Sequence, residues 1–478
     1  MSKGRFGYAT IAIASLFGVF SACSLTVPDV GGGVGDACEA ASDCQGAEAD
    51  CVDGRCILAC KTDDDCPQGS KCGEQICDVS FKVGFVYDGN ATVSGFSRAH
   101  DEGRLAAKES LPWVDFSLVA QDIQKDQESE AVTNLIADGA STIFVTTSRF
   151  GNVAAELAAT NPEVKFLTFG VSQWEGNFAG YVPRYHQAWY LAGVAFGSFA
   201  KSRDASDPNR FHFGFVGALP IPEVIRQLNA FTLGVRSVEA SATVDVVWLA
   251  GFVPATGLEE KALDYLIEDG ARFIINRIGA RNTDLMVAID AYNAENPGNE
   301  VYGSLLDNAD ACEGHETYCL GGPTWNWGPL YTRIVSEIQR GTFDSTVQIR
   351  DSILADPSKS VVNLTLGLQP EFSGPLRDAL DSAIQRLTSG GDNTFSPNGG
   401  NEVCPTDTAQ RPEGCVKGRV DDAELDSMCW LVEGVVQRED PNAPFDEMDN
   451  GLVVAKTPTG ETWPPASFGD TPVPLGCN

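Results

Sequence analysis

From Phe81 onward the chain alternates short apolar runs with amphipathic stretches, and this rhythm limits the fold more than any other feature. Lys82–Tyr87 has the length and apolar density of a buried strand, and Phe96–Glu109 the spacing of a helix. Phe116–Ala120 then reads as strand, Glu128–Ile136 as helix, Thr142–Thr146 as strand, Asn152–Ala159 as helix and Lys165–Phe169 as strand. After a helical stretch around Trp189–Phe196 the rhythm restarts. Phe213–Gly217, Val244–Leu249 and Phe273–Ile275 read as strands, separated by helices over Pro222–Val238 and Leu258–Glu268. Strands that alternate with helices pair in parallel and carry the helices on their faces. Two such runs of similar size predict an α/β chain of two lobes with a cleft between them.

The first residues carry an export address. Lys3 and Arg5 give a positive start, and Tyr8–Ala22 then runs without a charge. That stretch suits a signal peptide and is short for a bilayer span. It ends at Phe20-Ser21-Ala22-Cys23, which resembles a bacterial lipobox. Residues 1–22 are therefore expected to be a lipoprotein signal peptide, with lipidation at Cys23; an ordinary signal peptide cut after Ala22 is the alternative. Acyl chains would anchor the exported protein to the cell membrane or outer membrane, facing the periplasm. Residues 23–35, with Gly31-Gly32-Gly33 and Gly35, read as a flexible linker.

Cysteine usage agrees with export. There are fifteen cysteines, so acylation of Cys23 leaves an even number able to pair. Eight fall in residues 36–78, in two runs: Cys38, Cys44, Cys51, Cys56, then Cys60, Cys66, Cys72, Cys77. The similar spacing marks a double repeat. Large apolar residues are scarce there, so disulfides must replace a core. Two bridges per repeat are expected, with connectivity open among three arrangements. Zinc is disfavoured, because the segment holds no histidine and no C-x2-C step. Asp63–Asp65 reads as a solvated acidic turn. Further along, Cys404 is expected to pair with Cys415, and Cys312 with Cys319. Asp422–Val436 reads as a helix, and residues 441–478 as an extended Pro- and Gly-rich tail pinned by Cys477.

The formal net charge of -33 argues against nucleic acid and anionic membrane faces as ligands. Enzymatic signatures are also missing. The four histidines, His100, His186, His212 and His315, form no H-x-x-x-H or H-E-x-x-H pair. There is no G-x-S-x-G elbow, no Walker loop and no dinucleotide fingerprint. The expectation is a binding protein without cofactor or metal, and not an enzyme. A nucleoside-processing enzyme is the remote alternative.

Four ordered segments carry a family resemblance. They are Ala99-His100-Asp101-Glu102-Gly103-Arg104; Tyr190-Leu191-Ala192-Gly193; Ile221-Pro222-Glu223-Val224-Ile225 with Asn229-Ala230-Phe231-Thr232-Leu233-Gly234; and Trp325-Asn326-Trp327-Gly328-Pro329. Over residues 81 to about 436 the chain resembles the Bmp family of basic membrane lipoproteins, the substrate-binding components of ABC transporters. The resemblance implies a two-lobed periplasmic-binding-protein (type I) fold over residues 79–440, preceded by the small disulfide-rich module. It further implies a purine nucleoside or purine base in the interlobe cleft, and ABC permease subunits as partners. A sensor or surface scaffold without transport, with the cysteine repeats contacting a partner, is the alternative.

A purine needs aromatic faces and a few fixed polar groups. Phe96 and Phe252 are expected to form the two faces of an aromatic sandwich. Asp88 and Asn90, at the end of the first strand, are expected to meet polar ligand atoms. Ser148 and Arg149 follow the third strand; the arginine would bind an anionic group or pair with the acidic surface. Glu223 and Asn229 belong to the second-lobe motif, and Asp307 aligns with an acidic position the family uses for ligand contact. Trp325 and Trp327 bracket Asn326, with one indole expected on the ligand and the other in the hinge. The sequence departs from the family in having Val93-Ser94 where an Asp is common, Trp189 where Arg is common, and no Lys near Trp325.

Overall fold

A computed structural model describes residues 81–436 apart from 112–113, 172–173, 250, 253–256, 279–281, 390–393, 397–402 and 409. It also describes 49–52, 55–58, 61–62, 71–73, 76–78, 445–447 and 453–455. The expected signal peptide, Cys23, the linker, Asp63–Asp65 and Cys477 lie outside the described residues.

Within the cysteine repeats, β1 (Ala49–Val52) pairs antiparallel with β2 (Arg55–Leu58), and Cys51 lies opposite Cys56. Separately, β3 (Lys71–Gly73) pairs antiparallel with β4 (Ile76–Asp78), and Cys72 lies opposite Cys77. The third and fourth cysteines of each repeat therefore occupy matching positions in matching hairpins.

The first lobe is built from β5 (Phe81–Val86), α1 (Gly95–Ser110), β6 (Val114–Ala120), α2 (Glu128–Ala137), β7 (Thr142–Val145), α3 (Gly151–Thr160), β8 (Lys165–Phe169), β9 (Trp174–Glu175) and β10 (Phe178–Tyr181). Its sheet order is β6-β5-β7-β8-β10-β9, parallel except for the edge strand β9. Successive side chains of a strand point to opposite faces. Val83 and Phe85 accordingly enter one core cluster, while Val86, Ile143 and Val145 enter another. Burial on both faces explains why these strands read as continuous apolar runs.

The second lobe follows: α4 (His186–Ser202), β11 (His212–Gly217), α5 (Pro222–Val238), β12 (Thr243–Trp248), α6 (Leu258–Glu268), β13 (Phe273–Arg277), α7 (Asn282–Glu295) and β14 (Tyr302–Gly303). Its strands run β14-β13-β11-β12, all parallel. The chain then forms β15 (Gly321–Trp325), crosses back to the first lobe as α8 (Gly328–Gln339) on α1, and returns to pair β16 (Val362–Leu366) antiparallel with β15. α9 (Pro375–Ser389) packs on α4. Three segments thus connect the lobes, and backbone bonds tie them. Val182 N donates to Ile349 O, Arg184 N to Asp351 O, and Asn326 N to Val361 O, each at 2.8 Å.

Glycines in the family segments have steric reasons. α4 and α5 cross where a Cβ at Gly193 would collide with the Phe231 carbonyl and a Cβ at Gly234 with the Tyr190 carbonyl. Gly103 on α1 gives its side-chain space to Trp327.

One expectation toward the C-terminus needs correction. The helix over Asp422–Val436 is only α10 (Asp422–Asp426). Beyond it Asn229 captures the backbone: its amide donates to Trp430 O at 2.7 Å and its carbonyl accepts from Val432 N at 3.0 Å. β17 (Val435–Val436) then adds to β12. In the tail, the described residues are extended: β18 (Phe445–Glu447) and β19 (Val453–Ala455) form a hairpin whose second strand joins β12. The expected disulfides Cys312–Cys319 and Cys404–Cys415 are present. Among the described residues no helix is long and apolar enough to cross a membrane.

Candidate functional site

The cleft of such a fold lies at the carboxyl ends of the parallel strands, beside the crossovers. There the structure builds a column of stacked rings. Tyr185 in the first crossover lies 3.7 Å from Trp325, Trp325 lies 4.4 Å from Trp327, and Trp327 lies 4.3 Å from His100 on α1. Interplanar angles of 20°, 17° and 15° make this a true stack. Each tryptophan therefore has a protein ring on both faces. The expectation that one indole stacks on the ligand is corrected: both faces of both rings are already covered. His100 is fully buried, its Nδ1 faces the Tyr331 hydroxyl, and burial holds its pKa well below the ordinary value, so the ring is neutral.

Asp307 sits at the centre of the hinge. Its carboxylate accepts from the Tyr185 hydroxyl and from Trp325 Nε1, both at 3.0 Å. Its backbone bridges to Thr324 with φ of 66°, a left-handed conformation costly for a residue other than glycine. Burial pushes its pKa up to about 6, against the opposing charge of Arg277 and the two hydrogen bonds. Asn326 is turned to the neighbouring crossover, where its amide nitrogen donates to Pro357 O and Ser358 O at 3.4 and 3.3 Å.

The first-lobe wall gathers several of the expected residues. Asp88 follows β5, and its carboxyl is pushed up by burial while Arg149 and a Thr147 hydrogen bond pull it down. Phe96, half-buried at the start of α1, meets His100 edge-on at 4.6 Å and Phe169 at 5.4 Å. Ser148 is exposed and lies against Gly170, so it belongs to the same wall. Arg149 is exposed; it donates to Ile123 O at 3.2 Å and covers the Phe150 ring. Asn90 organises its own turn, donating to Asp122 at 2.9 Å and accepting from Thr92 N and Oγ1.

On the second-lobe wall Glu223 accepts from Arg277 at 2.9 Å and from Gln227 at 3.2 Å. The Arg277 guanidinium also lies over the half-buried Phe252 ring, 5.2 Å from its centroid. Asn229 does not join this wall. It is fully buried and occupied by the 428–432 segment, which corrects its assignment to the ligand.

Sequence reasoning missed Arg277, Tyr185, Phe169 and His100 as parts of this region. Arg277 left a signal, being a charge that closes a buried strand after the apolar run Phe273-Ile274-Ile275. Tyr185 left none, because its role depends on a partner 122 positions away. Two polar contacts also link the lobes near the hinge: Arg98 to Asp310 at 2.6 Å, and Asn308 to Glu102 at 3.1 Å. The exposed Arg98–Asp310 pair contributes little energy, as surface ion pairs generally do, whereas Asn308 is buried.

Comparison with known proteins agrees with this architecture. A family model for PnrA-like ABC transporter substrate-binding proteins, Bmp, matches residues 80–357. A Haloferax volcanii protein named as an ABC transporter glucose-binding protein is 29% identical over 263 residues, 55% of this chain and 62% of that one. The chain thus spans less than two thirds of that relative. A purine-binding protein of Brucella abortus is 25% identical over 274 residues, covering 57% of this chain and 73% of its own. Among solved structures, an ABC transporter solute-binding protein from Aeropyrum pernix superimposes with a TM-score of 0.51 at 15% identity, covering 65% of this chain and 87% of its own. A transcriptional activator of the comK gene from Bacillus halodurans gives 0.50 at 18% identity, covering 65% and 99%. At these identities the structural likeness speaks for the two-lobed periplasmic-binding-protein fold. The match over residues 80–357, more than half the chain, carries the family assignment: the protein belongs to the Bmp family of ABC transporter substrate-binding proteins.

Proposed function

We propose that this protein binds a purine nucleoside or purine base in the cleft between its lobes and presents it to ABC permease subunits. The observation that carries the reading is a pair of half-buried phenylalanines, Phe96 at the start of α1 and Phe252 in the loop after β12. With Trp325 and Trp327 covered on both faces, Phe96 on the first-lobe wall and Phe252 on the second are the rings suited to stack on a base. Asp88, Ser148 and Arg149 on one wall, and Glu223 and Arg277 on the other, supply hydrogen-bonding groups for the base edge and ribose hydroxyls. Asp307 acts from behind through Tyr185 and Trp325. The purine-binding relative supports the same ligand class. Export as a lipoprotein anchored through Cys23 completes the reading, with the cysteine repeats as a spacer between lipid and binding domain.

A sugar is the second reading, favoured by the glucose-binding name of the archaeal relative and by the aromatic and carboxylate groups that sugar sites share. Thermal-shift screening of the full chain against bases, nucleosides and sugars separates them, because a ligand that binds only the folded state raises the melting point. Purines should raise it. If glucose or another sugar does so while every purine leaves it unmoved, the purine reading fails.

A further inference from the structure

Arg277 closes β13 beside Gly217, the last residue of β11, and so stands at the carboxyl ends of the strands where this fold binds its solute. Its side chain is only 8% exposed. A guanidinium so far from water is costly unless its charge and donors are met. The first turns of α5 meet them. Nη2 donates to Glu223 at 2.9 Å, Nε donates to the buried Gln227, and Gln227 donates to the same Glu223 oxygen at 3.2 Å. Glu223 and Gln227 are four residues apart on one helix, so both present the same face to the arginine. The planar fork is thereby fixed in one orientation, which the single ammonium of a lysine could not reproduce.

That orientation lays the guanidinium over one face of Phe252, 5.2 Å from the ring centroid. The backbone couples the same two segments. Ala218 N donates to Arg277 O at 3.1 Å, and Ala218 O accepts from Gly251 N at 2.8 Å. Arg277 therefore restrains the residue before Phe252 through the main chain and the ring itself through its charge. A cation over an aromatic face is attractive, and more so when both are shielded from water. With one face covered in this way, Phe252 keeps the other for a flat ligand.

We propose that Arg277 is a positioning residue: locked by Glu223 and Gln227, it holds the Phe252 ring in the orientation that stacks on the ligand. This rests on the purine reading of the cleft. A ring fixed before binding loses less freedom when the ligand arrives, so the brace raises affinity without a new contact to the ligand. The contribution made in this way passes through Phe252 and must disappear when that ring is removed.

A double-mutant cycle tests it, by isothermal titration of the full, disulfide-bonded chain with adenosine, guanosine and inosine. Arg277→Lys keeps a cation beside Glu223 and removes the planar fork. With Phe252 present, it should weaken binding of the tightest of the three by about threefold or more, and in the Phe252→Ala chain by clearly less. Arg277→Gln should show the same pattern with a larger loss, circular dichroism confirming that each variant is folded. Unchanged affinity in both variants, or equal losses with and without Phe252, overturns the positioning role and leaves the purine reading standing. If none of the three nucleosides binds the wild-type chain, the purine reading fails and the positioning role falls with it.

Discussion

The hydroxyl of Tyr185 donates to the carboxylate of Asp307 at 3.0 Å, across 122 positions of sequence. The same carboxylate oxygen accepts from the Trp325 indole, so one buried acid ties together two crossovers and the strand that follows β14.

Asp307 should make stability pH-dependent. Its folded pKa of about 6 lies above the ordinary 3.8, so the folded state takes up a proton first as the pH falls. The resulting stabilisation is present below about pH 4 and is lost as the pH rises through 6, by about 3 kcal/mol. Urea unfolding at pH 4, 5, 6 and 7 should show this loss as the difference between wild type and Asp307→Asn. A difference that is constant across the window would refute the assignment.

Phe96→Ala and Phe252→Ala should each weaken binding of the purine that raises the melting point, by more than ~1 kcal/mol, or about fivefold. Isothermal titration measures it. Unchanged affinity in both variants would remove the aromatic sandwich.

Trp325→Ala should destabilise the fold by ~3–5 kcal/mol, because the indole is covered by Tyr185 and Trp327 and its removal opens a cavity in the column. Denaturant unfolding provides the measurement. A loss below about 1 kcal/mol would mean that the column contributes little to the hinge.

Gly193→Ala should also destabilise, although alanine favours a helix by about 1 kcal/mol over glycine. The new methyl would strike the Phe231 carbonyl and force α4 and α5 apart, at a cost of ~1–3 kcal/mol or more. A raised melting point would show that the helix crossing relaxes freely.

The elements of both lobes were largely legible in the chain. Pro222–Val238 and Leu258–Glu268 occur as helices with the bounds their periodicity predicts, because one apolar face per helix and continuous apolar strands are local signals. The Asp422–Val436 helix failed because the Asn229 side chain, 201 and 203 positions away from Trp430 and Val432, took over its backbone. The candidate site was legible only in part. Asp88 and Phe252 follow strands and Phe96 and Glu223 open helices, as local spacing predicts, whereas Asn229 serves the core and the two tryptophans cover one another.

The sequence by itself determined the alternation of strands and helices, the two lobes, the repeat of cysteines and the absence of familiar catalytic motifs. These follow from periodicity and spacing, which act over a few residues. Only the tertiary structure decided which aromatic faces remain for a ligand, that Asp307 and Tyr185 share one hinge, and that Arg277 meets Glu223, Gln227 and Phe252. Those outcomes depend on which distant residues pack together, and no local propensity encodes that choice.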